Sequence, residues 1–225
     1  MKPHSFLLLR GLTHPRLPAI LAVTAVLLCL PALWVGWQWD DYAHQLALHQ
    51  FPETRQLTPS PLFMFTFANG DIAQNHRLMD AGWLPWWSLE NLRLAFFRPL
   101  TVLTHWLDHS LWPDSTVLMH FHSLIWLGLL IYVSAKLYRR LMGTTWIAGM
   151  AALLFALDDA HGVPAGWIAN RNALIASVFV ILTLISHDAW RKKTWKPGVV
   201  IGPILFLCGL LAGEMALAGA GYLLA

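Results

Sequence analysis

The chain has 225 residues, of which 57% are hydrophobic and only 12% charged, with a formal net charge of +3 and a mean hydropathy of +0.53. Soluble domains carry roughly 25% charged residues, so this composition excludes an ordinary soluble globule and marks an all-α, polytopic membrane helix bundle. The two cysteines, Cys29 and Cys208, each lie inside an apolar run, which excludes a disulfide framework and a zinc-type cluster.

Spans are located by charge-free windows, because a crossing helix needs about 20 apolar residues and a charge at its centre costs roughly 2.5–3.5 kcal/mol. Five are expected, at about 17–39, 115–137, 141–157, 172–187 and 197–225. The shorter ones are extended by Lys and Arg stems that snorkel. The first follows Lys2, Arg10 and Arg16, but it is long and no small-x-small cleavage site follows it, so it reads as a retained span rather than a signal peptide.

Charge sets the orientation. With the N-terminus cytoplasmic, the inner segments hold Lys2, Arg10, Arg16, Lys136, Arg139, Arg140, Arg191, Lys192, Lys193 and Lys196, ten of the fifteen basic residues, and a single acid, Asp188. The inner side is then formally +9 and the outer side, with five bases and eleven acids, −6. This obeys the positive-inside rule for a multi-pass inner (cytoplasmic) membrane protein, and it explains the basic balance without nucleic acid.

The connection 40–114 is the one substantial extramembrane segment, a structured periplasmic first loop. Its aromatic stretches LFMFTF (62–67), GWLPWW (82–87) and LAFFRPL (94–100) each call for a surface to bury against. Residues 100–111 read as an amphipathic helix, with Leu100, Leu103, Leu107 and Leu111 on one face and His105, Asp108 and His109 on the other. Such a helix belongs in the membrane interface. His105 and His109, four apart, have the spacing of a metal pair but lack further ligands; His120 and His122 read as boundary or packing residues.

Acids mark three outer exits: Asp40-Asp41 after the first span, Asp158-Asp159 after the third and Glu214 in the fifth apolar region. One reading makes them boundary markers beside an aromatic belt of Trp34, Trp37 and Trp39. The other makes them carboxylates at a cavity, acting as a general base or holding a divalent cation. Glu214 is costly within an apolar run, which favours function.

FFRPL (96–100), LYRRL (137–141), AALLFALDDAHGVPAGWIANRNALIA (151–176) and LLAGEMAL (210–217) together resemble the GT-C superfamily of membrane glycosyltransferases. The likeness is greatest to bacterial relatives of the transmembrane, TPR-containing O-mannosyltransferases. It implies that 1–225 is the N-terminal part of a GT-C-like transmembrane domain, with a polyprenyl-phosphate sugar as donor and an acceptor on the outer face. It also implies an essential acid just after the first span, where Asp40 and Asp41 stand. At the end of the third span the family pattern has a His-Pro pair followed by a histidine and a glutamate; here Asp158-Asp159 occupies the pair, His161 is retained and Val163 replaces the glutamate.

The chemistry then requires a carboxylate to take the acceptor's proton, with Asp40 and Asp41 as candidates, and cationic groups to stabilise the departing phosphate. Arg98 and Arg171 are the candidate phosphate clamps, and Asp158, Asp159, His161 and Glu214 are further cavity candidates. A divalent cation held by Asp40 and Asp41 is the one cofactor to test. The chain stops at AGAGYLLA in apolar sequence, which reads as an N-terminal fragment, a truncated gene product or one part of a split protein; in the last case a separate chain supplying the C-terminal half is a partner, besides the bilayer, donor and acceptor. The alternative is a non-catalytic membrane subunit or truncated remnant; a transporter fits less well, since inverted symmetry and central Gly/Pro breaks are lacking.

Overall fold

The computed structural model describes residues 10–50 and 59–223; Lys2 and the last two residues of the fifth expected span lie outside the described residues. Helix α1 (Leu17–Leu28) gives way before Pro31 to a 3-10 turn, Leu30–Trp34. Proline removes a backbone donor and disfavours helical geometry in the residue before it. The first span therefore ends at Trp34, not at residue 39. Residues 35–39 form an irregular turn in which Gly36 (φ 76°) and Trp39 (φ 40°) take left-handed backbone conformations.

The segment between the first and second spans is built from α2 (Asp40–His49), strand β1 (Thr66–Asn69), α3 (Ile72–Asp80), β2 (Arg93–Ala95) and α4 (Pro99–Leu111). β1 and β2 pair antiparallel, Thr66 opposite Ala95 and Asn69 opposite Arg93. A small core of Ala47, Met64, Phe65 and Val102 joins α2, the β1 approach and α4.

The remaining apolar helices are α5 (Thr116–Met142), α6 (Trp146–Ala156), a short α7 (Gly162–Gly166), α8 (Arg171–Arg191), α9 (Gly198–Ala212) and a short α10 (Gly219–Leu223). Ser115 and Thr145 cap α5 and α6 by accepting from Leu118 N and Ala148 N. Among the described residues, Leu17–Trp34, Thr116–Met142 and Ile168–Arg191 are long and apolar enough to cross a membrane. α6 and the segment 159–166, bent by 46° at their junction, make a fourth such unit, and α9 is a shorter apolar helix of 15 residues.

α5 lies between α1 and α8, with Leu21, Ala25, Leu124, Leu127, Leu174 and Val178 in the buried core. Ile20, Val23, Leu27 and Leu28 project outward from α1, as expected of a helix facing lipid. Gly149 permits a close approach: a Cβ there would lie 2.1 Å from the Leu12 carbonyl oxygen.

The two ends of the bundle differ chemically. At one, Arg139 Nη1 donates to Pro15 O (3.0 Å) and Asp188 pairs with Arg140 and Lys192. At the other, α2, α4 and the turn 36–39 sit against the first turns of α5 and α8. Helix α4 is polar inside and apolar outside. Thr101, Val102, His105 and Asp108 are buried, whereas Leu103, Trp106, Leu107 and Leu111 are exposed. That polarity matches a helix lying against lipid with its polar face turned to protein.

Candidate functional site

The turn 36–39 presents the two adjacent acids in different ways. Asp41 is buried: its Oδ2 accepts from Gln38 N at 2.9 Å and its Oδ1 from Ala169 N at 2.6 Å. It therefore closes the turn on one side and ties it to the 3-10 turn Ile168–Asn170 on the other. Burial pushes its carboxyl up to about 6, against the opposing pull of these two backbone donors. The His120 ring Nε2 lies 2.9 Å from Gly36 O, so that nitrogen carries the hydrogen and donates. These bonds hold Trp39 in a conformation that costs a non-glycine residue about 1–3 kcal/mol.

Asp40, half-buried, instead lines a cavity of about 360 Å³ between α2, β1 and α3, with Trp39, Thr66, Phe67 and Trp83 among its walls. Burial raises the Asp40 carboxyl above the usual carboxylate range, and the positive charge of Arg98 partly offsets this.

Arg98 precedes α4 and is fixed from several sides. Its guanidinium carbon lies 4.5 Å from the Phe96 ring centroid and 5.0 Å from that of Phe65. Nε donates to Glu214 Oε2 at 2.9 Å and Nη2 to Oε1, a bidentate pair. With its amide oxygen turned toward Arg98, Asn172 accepts from Nη1 at 3.3 Å and donates to Ala169 O at 3.1 Å. Thr101 Oγ1 donates to Ala212 O at 2.7 Å, fastening α4 to the end of α9. Asp41, Ala169, Asn172, Arg98 and Glu214 thus form one connected polar chain beside Asp40.

Arg171 lies elsewhere, wholly buried. Its Nη1 is 2.5 Å from Asp108 Oδ2, its Nη2 donates to Met119 O (2.7 Å) and its Nε to Ser123 Oγ (2.9 Å). Trp126 Nε1 donates to His122 Nε2 at 3.2 Å, leaving His122 Nδ1 to donate to Asp108 Oδ1 at 2.7 Å. The guanidinium is enclosed by protein and engaged on all sides, a geometry that binds α4 to α5 and α8 rather than one open to a phosphate.

Asp158, Asp159 and His161 do not join the Asp40–Arg98–Glu214 group through any hydrogen bond or ion pair among the described residues. Asp158 accepts from Ala160 N in its own turn (3.0 Å), and the buried His161 has Nε2 2.6 Å from Phe155 O. Asp159 is exposed.

Among the described residues no group of three or more His, Cys, Asp or Glu side chains is placed to hold a metal ion. Both Asp41 oxygens accept backbone N–H groups, whereas Asp40 faces the cavity. His44 and His105, ring centroids 5.3 Å apart, are buried between α2 and α4. Burial first, then the neighbouring cations, drives His44 down to about 3 and His105 well below its ordinary value, so both are neutral imidazoles beneath the site.

Two features were not apparent from sequence: the division of labour between Asp40 and Asp41, and the Asp108–His122–Arg171 cluster. The signal for the second was present in the polar face of 100–111, but nothing in the chain says which way that face turns.

Among known proteins, the chain is similar to the protein O-mannosyl-transferase F38B6.6 of Caenorhabditis elegans, 29% identical over 103 residues, which are 44% of this chain and 15% of that protein. The match thus spans a small part of the relative's length. No family model and no solved structure matches the chain. The likeness supports a distant glycosyltransferase-type relationship over part of a membrane-spanning helical chain.

Proposed function

We propose that the chain is the donor-side portion of a membrane glycosyltransferase, which moves a sugar from a polyprenyl-phosphate carrier to an acceptor hydroxyl on the outer side of the membrane, where the α2–α4 segment lies. The observation that carries this reading is the placing of Asp40 on a cavity wall, under the influence of an arginine that is itself held rigid. The acceptor oxygen attacks the anomeric carbon and Asp40 takes its proton. The bond from that carbon to the phosphate oxygen breaks, and the electron pair leaves with the phosphate. Arg98 is the group suited to the departing phosphate, since a planar guanidinium matches phosphate oxygens in pairs.

Glu214 is the exchangeable partner. Its side chain is 55% exposed against 12% for Arg98, so an arriving phosphate displaces the glutamate while the arginine stays on its aromatic rings. Trp39 and Trp83 supply flat apolar walls beside Asp40, and ligand cavities commonly combine such walls with a few polar groups. Arg171 is assigned to support of the site. A separate chain, or further sequence, completing the transferase is part of the same proposal.

The test is transfer from a polyprenyl-phosphate sugar by membranes holding the chain within its complete transferase. Asp40→Asn should fold normally and lose about 10²–10⁴-fold in rate, the usual contribution of a general base. Wild-type transfer by Asp40→Asn overturns the assignment. Absence of donor binding by the complete protein favours the non-catalytic subunit instead.

A further inference from the structure

A second, larger cavity lies away from Asp40. It is a groove of about 1010 Å³ between α5, α8 and the segment 215–223, with Leu130, Val180, Ile181 and Leu184 along its walls and His187, Arg191 and Lys192 at one mouth. That mouth is at the C-terminal end of α8. Asp41 binds the turn just before α8 begins, so at 1.5 Å per helical residue the basic mouth is about 30 Å from Asp41, while the opposite end of the groove, at Ser177 and Met215, adjoins Glu214.

The mouth has excess positive charge. Asp188 Oδ1 lies 2.9 Å from Lys192 Nζ and Asp188 Oδ2 accepts from Arg140 Nε. One carboxylate thus pairs with two cations, and Arg191 adds a third that has no carboxylate partner among the described residues. An apolar trough ending in surplus positive charge fits a molecule with hydrocarbon tails and a single anionic head.

We propose that this groove binds an anionic phospholipid from the leaflet at the basic end of the bundle, its acyl chains along α5 and α8 and its phosphate against Arg191 and Lys192. A second copy of the chain is a poorer occupant. A two-fold interface presents the same patch from both sides and would bring the two surplus charges together. The site needs neither Asp40 nor transfer activity, so it stands or falls separately from the proposed function.

The experiment is native mass spectrometry of the detergent-purified chain titrated with phosphatidylglycerol or phosphatidylcholine. Phosphatidylglycerol should be retained preferentially. A basic residue near a membrane contributes about fivefold to anionic-lipid attraction, so Arg191→Gln with Lys192→Gln should lower that preference about 30-fold. These exposed positions leave the fold intact, which circular dichroism of lipid-free protein checks. Ser177→Phe, within the groove, should weaken retention with both basic residues present. Equal retention of the two lipids, or an undiminished preference in the double variant, overturns the proposal. So does a dimer that Ser177→Phe disperses, which would make the groove a protein interface.

Discussion

Arg171 Nη1 and Asp108 Oδ2 lie 2.5 Å apart with neither side chain exposed, and this ion pair joins the amphipathic helix α4 to the apolar helix α8. A buried pair adds little over an apolar replacement, but removing one partner strands the other charge at a cost of about 3–5 kcal/mol. Arg171→Met and Asp108→Leu should each destabilise by about that much in denaturant unfolding from detergent micelles. The combined variant should lose less than the sum, because the two residues share one interaction. Single variants within about 0.5 kcal/mol of wild type would show that the pair does not support the docking of α4.

Asp41 should leave a signature in stability against pH. Its carboxyl is raised to about 6 in the folded chain, so the folded state retains a proton that the unfolded state releases near pH 4. Linkage then makes stability highest below that value, falling as pH rises toward 6 and level above. Asp41→Asn should abolish this slope and lower stability at pH 5, since the amide accepts from one backbone N–H while its own NH2 faces the other. Unfolding midpoints for both proteins between pH 4 and 7 test this; an unchanged slope in Asp41→Asn would assign it to another group.

The helices were legible in sequence because charge-free length is a strong local signal. The exits of α5 and α8 fall within a few residues of the expected spans. The charge-free window of the first span overruns the helix, since Pro31 converts its end to a 3-10 turn and counting charges is blind to that. Glu214 is singled out by its cost in apolar sequence, yet its partner Arg98 belongs to a different segment, and the link depends on Thr101 bringing α4 to the end of α9. Arg171 shows the converse: the motif around it suggests a phosphate ligand, whereas the structure places it against Asp108, which lies in a helix whose inward face sequence does not specify.

That helix supplies a topological prediction. Leu103, Leu107 and Leu111 face outward from α4 while Asp108 faces in, so the leucine face should contact lipid. Cysteines at 103 and 107 should react poorly with an impermeant maleimide in intact cells, and one at the exposed Asp71 should react readily from the periplasmic side. Ready labelling at all three would lift α4 off the bilayer. Labelling of Asp71→Cys only after the cells are opened would reverse the orientation read from the basic residues.

Glu214 makes the sharpest separation between a rigid clasp and a displaceable one. Its bidentate bond to Arg98 competes with any phosphate that Arg98 binds, while Phe65, Phe96 and Asn172 hold the guanidinium when the glutamate leaves. Glu214→Gln removes the competing charge without removing the arginine. A hydrogen bond to a charged group contributes about 1.5–3 kcal/mol, so affinity for a polyprenyl-phosphate sugar should rise about tenfold or more. Arg98→Lys keeps the charge and loses the paired donors, and should weaken binding by a similar factor. Titration of the complete transferase with the donor, alongside its unfolding midpoint, reads both effects. Were Glu214 only a tie between α4 and the end of α9, Glu214→Gln would lower the midpoint and leave donor affinity unchanged.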